Sequence, residues 1–517
     1  MSFAKVYSAQ TTLLSAQPIS VEVDLSKGLH AFSIVGLPDK GVEESRDRVA
    51  AAIKNSGFKS PKQKNQKITI SLAPADIKKE GPVFDLPIAL AYLKAAEETS
   101  FDAEGKIFLG ELSLDGKLRK IDGVLPLSRI ARDRGFTEIY VPEENAREAA
   151  LIEGIEVYGA KTLNQIINHL ETLKQTDHVG ERMMPQEKTT IAKRAETYEI
   201  DLADIKGQET AKRGLEIAAA GGHNIAMFGP PGTGKTMLAK AFCHILPPLS
   251  FEKILDVTAI HSVAGILKGD MVSEPPIRSP HHTASYVSLV GGGAIPKPGE
   301  VTLAHHGVLF LDEFAEFDRR AIDALRQPLE ERTVSVSRAR GTVEFPAGFI
   351  LIAAMNPCPC GNHGSADKEC VCAPVALKRY RDKISGPIID RVDIWLEVPR
   401  ISHKTLSNSN QSENTKTVRE RVIKARKIQM ERFKKANRKI DSNSHMNARD
   451  ITSLVKLSDP VTAVLNASAE HLGLSGRAYH RVIKLARTIA DLAGVEEVSA
   501  SHVAEAIQYR PRQLQEH

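Results

Sequence analysis

Apolar residues in the first third of the chain switch between two periods. At 19–23 and 67–72 they fall on alternate positions, as in strands with one buried face. At 41–55 Val42, Val49, Ala52 and Ile53 recur with helical spacing, and 86–96 reads as a second helix. A strand at 107–112, a hairpin turn at Asp115-Gly116 and further alternation at 135–141 and 154–157 complete the pattern. It predicts an α/β or α+β domain over residues 1–175. Residues 172–196 are polar and aperiodic and predict a linker, set at 176–200. Beyond it the alternation gives way to short continuous apolar runs at 224–228, 307–311 and 349–356, the pattern of strands buried on both faces. Helical patterns at 461–472, 479–493 and 499–509, the last with Ser499 as N-cap, predict a closing bundle.

The first of those runs leads into Gly229-Pro230-Pro231-Gly232-Thr233-Gly234-Lys235-Thr236, followed by a helical stretch at 237–246. The eight residues fit the phosphate-binding pattern G-x-x-x-x-G-K-[ST] in its required strand–turn–helix context. Glycines let backbone N–H groups turn towards phosphates, Lys235 brings positive charge to the β/γ-phosphates, and the Thr236 hydroxyl suits Mg²⁺. ATP and Mg²⁺ are therefore the expected ligands. The second run ends in Asp312-Glu313. Beside a P-loop the first acid assists Mg²⁺ and the second polarises the attacking water.

Composition changes this picture little. At 517 residues the chain holds roughly two to four domains. Its net charge of +5 is slight, so any nucleic-acid contact must come from local patches. No apolar run approaches a membrane span and the first residues lack a signal-peptide core, so a cytoplasmic location is expected. Four of five cysteines cluster as Cys358-x-Cys360 and Cys370-x-Cys372. Four thiolates suit tetrahedral Zn²⁺, with free thiols or redox pairs as the alternative. The pairs His281-His282 and His305-His306 suggest metal less, because adjacent side chains diverge. Two basic features could meet DNA phosphates: Arg338 and Arg340 at the tip of a hairpin read at 333–345, and the Lys/Arg-rich helix at 416–439. A solvated tip and a solvated helix face are the competing readings.

Several motifs carry family resemblances. Lys79-Glu80-Gly81-Pro82-Val83-Phe84-Asp85-Leu86 with Gly110-Glu111-Leu112-Ser113-Leu114-Asp115-Gly116 resembles the proteolytic domain of Lon proteases. Val83 stands where that family has its nucleophilic serine, and the helix at 125–134 lacks the expected lysine, which implies a non-catalytic relative. The segment 201–220, the P-loop and Asp312-Glu313 resemble AAA+ ATPases, which makes Asn356 sensor 1. In the clade of magnesium-chelatase ATPase subunits and MCM helicases, Arg391 in Gly386-Pro387-Ile388-Ile389-Asp390-Arg391 matches a finger that reaches the next subunit's nucleotide; a local pair with Asp390 or Asp393 is the alternative. Arg477 in Leu474-Ser475-Gly476-Arg477 resembles sensor 2, with Arg481 competing, and 255–300 resembles the helix-2 insert facing the pore.

Together with Asn356-Pro357-Cys358-Pro359-Cys360-Gly361, these motifs resemble the YifB/ComM family of magnesium-chelatase-like AAA+ ATPases over nearly the whole chain. The resemblance implies a Lon protease-like (ribosomal protein S5-like) α+β domain, a linker, an α/β P-loop core at 201–400 with its cysteine loop at 358–372, and a basic segment and helical lid at 401–517. It further implies a hexameric, ATP-driven helicase or translocase on single-stranded or branched DNA, promoting branch migration during natural transformation. A chelatase-type remodeller or an ATP-dependent recruitment switch is the alternative.

Overall fold

The alternating stretches of the first third pair into a seven-stranded sheet. Its order is Ala31–Val35, Gln66–Ala73, Ser15–Lys27, Phe3–Thr12, Lys106–Phe108, Glu138–Pro142 and Glu156–Ala160. The computed structural model describes residues 3–12, 14–173, 182–190, 198–293, 297–338, 341–364, 368–402 and 413–511. It divides into one unit of residues 1–193 with 251–272 and a second of 194–250 with 273–517. Among the described residues no helix is long and apolar enough to cross a membrane.

In the first unit, Ser15–Lys27 pairs antiparallel with both neighbours and the outer pairs are parallel. The strand Phe3–Thr12 has no counterpart in the sequence reading. It lies inside the sheet, and Ser8 and Ala9 are both buried there, so polar alternation is lost. The predicted stripe holds: Lys40–Asn55 buries Val42, Val49, Ala52 and Ile53, and the Asp39 carboxylate caps it by accepting from Val42 N–H at 2.8 Å. Asp85–Ala95 is apolar all round and accordingly buried. Its Asp85 carboxylate takes two hydrogen bonds from Arg48, at 2.8 and 3.0 Å. Val83 sits in the tight turn Pro82–Phe84, and its carbonyl accepts from Gly110 N–H.

The helix Phe251–Val263 belongs to this first unit. Leu255 and Ala259 pack on Leu125, Leu151 and Ile152. Ser262 Oγ donates to Glu148 at 2.5 Å and accepts from Gly123 N–H at 2.9 Å. Burial raises the Glu148 carboxyl, against the pull of Ser262 and the Leu125 N–H. The stretch read as one insert at 255–300 is therefore divided, with 251–272 in the first unit and the rest in the second. Periodicity announces an apolar face without naming its partner.

The second unit centres on a five-stranded parallel sheet: Ile277–Arg278, Val308–Leu311, Ile350–Met355, Ile225–Phe228 and Ile394–Glu397. The three apolar runs are its three inner strands. Both edges escaped the sequence reading, one because two residues carry no period. All strands point the same way, so the polar residues that end them share one rim. Leu215, Met227, Leu238, Phe242, Ile352 and Leu396 fill the core between sheet and helices. The lid comprises Thr415–Lys435, Ala448–Leu454, Asp459–His471, Gly476–Leu492 and Ala500–Gln508, the last capped by Ser499.

The hairpin forms between Thr333–Arg338 and Gly341–Pro346. Arg340 lies outside the described residues, as does the side chain of Arg338. The basic helix is more internal than its composition suggests. Arg426 is half-buried and donates to the Ala219 and Asp441 carbonyls. Arg421 pairs with Glu216 and Glu413, and Arg432 with Asp491. Lys416, Lys424, Lys427, Lys434 and Lys435 remain on the exposed face.

Candidate nucleotide site

The strand Ile225–Phe228 delivers the chain into the P-loop, and the helix Lys235–Ile245 carries it away. Gly229 is required by close approach: a Cβ there would lie 2.2 Å from the Val398 carbonyl oxygen. Gly232 and Gly234 take φ of +78° and +91°, which few other residues tolerate. The loop thereby turns its N–H groups and the helix N-terminus to one point, a ready phosphate site.

Five predicted residues converge there. Lys235 Nζ donates to the Gly229 and Pro230 carbonyls at 2.7 and 2.9 Å and to Asn356 Oδ1 at 3.2 Å. Burial lowers its pKa, and the Asp312 charge offsets part of that. Thr236 Oγ1 donates to Asp312 Oδ2 at 2.9 Å, while the other Asp312 oxygen accepts from Glu313 N–H, also at 2.9 Å. Glu313 sits at φ +51°, a strained conformation for a residue with a side chain. Its carboxylate lies 2.9 Å from His282 Nδ1. His282 thus touches the site although the sequence reading weighed it only for metal. No local pattern signals this, because the two-residue strand Ile277–Arg278 that leads towards it carries no period.

Next to the loop, Gln208 Nε2 donates to the Pro399 carbonyl at 2.7 Å and to that of Thr233 at 3.4 Å. A cleft of about 920 Å³ opens there between Gly207, Phe228, Trp395 and Tyr509, ample for a nucleoside.

Arg391 and Arg477 come together elsewhere. Arg391 donates through Nη1 to the Pro387 carbonyl at 2.7 Å and pairs through Nη2 with Glu330. The other Glu330 oxygen lies 3.3 Å from Arg477 Nη2. Their cleft, about 480 Å³, is also lined by Arg332, Arg481 and Lys484 and by no P-loop residue. The alternative pairing of Arg391 with Asp393 does not form. Asp393 instead accepts from Asn224 N–H at 2.9 Å and binds Arg481. Burial pushes Asp393 up, but Arg481 and His223 hold it below the usual carboxylate range. Burial also pushes Lys484 down to about 8 and Arg332 to about 10.

The four clustered cysteines also meet. Their sulfurs lie within 4.8 Å of one another, with closest separations of 3.3, 3.6 and 3.7 Å. A Zn–S distance of about 2.3 Å in a tetrahedron sets sulfurs about 3.8 Å apart, so the set fits Zn²⁺. Among the described residues it is the one such cluster. Its loop touches the nucleotide site, because a Cβ on Gly361 would lie 2.6 Å from Pro231 Cδ.

A parallel sheet with a P-loop on an inner strand, an Asp-Glu pair on the next but one and a helical lid defines an AAA+ ATPase. Comparison with known proteins agrees and narrows it. Profiles of magnesium chelatase subunit ChlI match residues 201–406 and 21–145, and that of its C-terminal region matches 412–510. The chain is 41% identical to competence protein ComM of Haemophilus influenzae, over 99% of this chain and 98% of that one. It is 43% identical to the uncharacterized protein YifB of Escherichia coli, over 99% and 97%. A stretch of 185 residues is 31% identical to Lon protease 2 of Bacillus subtilis, covering 30% of this chain and 32% of that one. The chain belongs to the ComM/YifB family of magnesium-chelatase-like AAA+ ATPases, a family that implies ATP and Mg²⁺.

Proposed function

We propose that this ATPase is a DNA motor that works as a ring, most simply a hexamer, and drives branch migration when incoming DNA recombines. One observation carries the ring: the cleft that holds Arg391 and Arg477 has no P-loop residue of its own chain. Two guanidiniums on an open cleft suit phosphate, and the triphosphate they would serve is then a neighbour's. The hairpin at 333–346 and the exposed lysines of the helix Thr415–Lys435 support DNA as the track. A competence protein at 41% identity supports placing that DNA in transformation, and such a substrate places the motor in the cytoplasm.

Within the site, Lys235 leaves its loop carbonyls for the β/γ-phosphates, and the P-loop N–H groups cradle them. Glu313 and Asn356 orient the attacking water. Thr236 and Asp312, joined at 2.9 Å, would hold Mg²⁺, which supplies charge neutralisation at the phosphates. Cys358, Cys360, Cys370 and Cys372 would hold a structural Zn²⁺. The first unit, with Val83 in its turn, serves assembly or partner binding and not proteolysis.

The test is ATP hydrolysis by the purified protein with single-stranded, duplex and forked DNA, paired with strand displacement. Stimulation by DNA and displacement that needs hydrolysis support the motor. Turnover indifferent to every DNA would replace it with a remodeller or recruitment switch.

A further inference from the structure

Glu330 makes the arginine cleft unusual. Its two carboxylate oxygens are divided between two cations, Oε2 to Arg391 and Oε1 to Arg477. One carboxylate spanning two guanidiniums does what a phosphate oxygen pair would do in the same place. The rest of the lining is short of anions. Arg332, Arg481 and Lys484 border the cleft, and its one other carboxylate, Asp393, is committed to Arg481 and Asn224 N–H. Arg391 also has spare capacity: its buried Nε has no hydrogen-bond partner among the described residues. Glu330 itself lies on the short helix Arg326–Glu331, with its side chain 49% exposed. The contact with Arg477, exposed on both sides, is weak, whereas Arg391 is nearly buried, so a stronger anion displaces Glu330 from the Arg477 side first.

We infer that Glu330 is an internal stand-in for a phosphate, a latch that occupies Arg391 and Arg477 in the lone chain and that a nucleotide-loaded second copy displaces. The inference rests on the ring reading above and adds a control to it. A neighbour with an empty P-loop offers no competing anion, so the latch stays shut and the interface lacks its two strongest cations. A neighbour carrying triphosphate exchanges one carboxylate charge for several phosphate oxygens, and the freed Glu330 turns to water. Ring closure thereby depends on ATP, and isolated chains do not carry bare, mutually repelling arginines.

Glu330→Gln removes the charge and keeps the shape. Self-association is followed by sedimentation velocity against protein concentration, with and without a non-hydrolysable ATP analogue. The expected result is assembly at about tenfold lower protein concentration than wild type with the analogue. Turnover per chain at saturating protein stays unchanged, and the gain shrinks in a Glu330→Gln/Arg391→Ala double variant. Thermal unfolding confirms that the variants fold. If Glu330→Gln assembles like wild type, the latch is wrong and the ring stands. If it turns over more slowly once assembled, Glu330 positions the finger instead of masking it, which also overturns the proposal. If wild type does not associate with the analogue and Arg391→Ala hydrolyses ATP normally, the ring reading fails and takes the latch with it.

Discussion

Two buried lysines, one in each unit, bond the carbonyls of their own loops and have opposite prospects. Lys79 is 0% exposed, and its Nζ donates to the Pro74 and Ile77 carbonyls. Lys235 is 8% exposed and does the same with Gly229 and Pro230. The local geometry is nearly shared, and the neighbours differ. Shortly after Lys79 in the chain, Val83 carries no hydroxyl, and Asp85 is consumed by Arg48. Around Lys235 stand Asn356, Thr236 and Asp312 with room for a ligand. A lysine plugged into its loop is structural in one unit and, on the proposed function, a phosphate handle in the other. The deciding factor is whether surrounding polar groups are satisfied internally or left facing a cleft.

The sharpest way to break this contrast is to remove each lysine. Lys235→Ala should lower ATP turnover by at least about a hundredfold, with a stability loss of about 1 kcal/mol from the carbonyls that lose their donor. Lys79→Met should leave turnover intact and destabilise the first unit by about 0.5–1.5 kcal/mol, since the Pro74 and Ile77 carbonyls lose their donor. Swapped outcomes would end the comparison. Arg391→Ala comes next: a finger acting on the neighbour is worth roughly a thousandfold, measured at saturating protein. A proportional rescue on mixing with Lys235→Ala chains, each supplying what the other lacks, would place the two residues in different subunits of one site.

Asp85→Asn probes the other side. It leaves Arg48 without its buried partner and should cost about 3 kcal/mol in the first unit, read by denaturant unfolding, with nucleotide binding by the second unit preserved. The smallest effect concerns pH. Burial holds His223 below its ordinary value of 6.5, opposed by Asp393, so the folded second unit keeps it neutral. The unfolded chain takes up that proton first. Stability from this group is therefore complete above about pH 6.5 and declines as pH falls below it. Depressed Asp393 adds a loss of the same sign at lower pH. A His223→Gln variant should show a flatter stability profile between about pH 6.5 and 5, and an unchanged slope would dismiss the assignment.

The P-loop, Asp312-Glu313 and Asn356 were legible in the sequence because each is local. A continuous apolar run sets a buried parallel strand, and the residue that ends it reaches the rim by geometry alone. The helix Lys40–Asn55 was legible for the same reason, its stripe being a property of one segment. Composition misled at Arg421, Arg426 and Arg432, which face inward to partners 205, 207 and 59 residues away. Tertiary structure alone assigned 251–272 to the first unit, brought His282 to Glu313, and set Glu330 between Arg391 and Arg477, 61 residues from the former. Periodicity records that a face is buried and a motif records what a turn can hold. Which distant charge satisfies a buried guanidinium depends on where folding brings the chain back, and no local pattern encodes that.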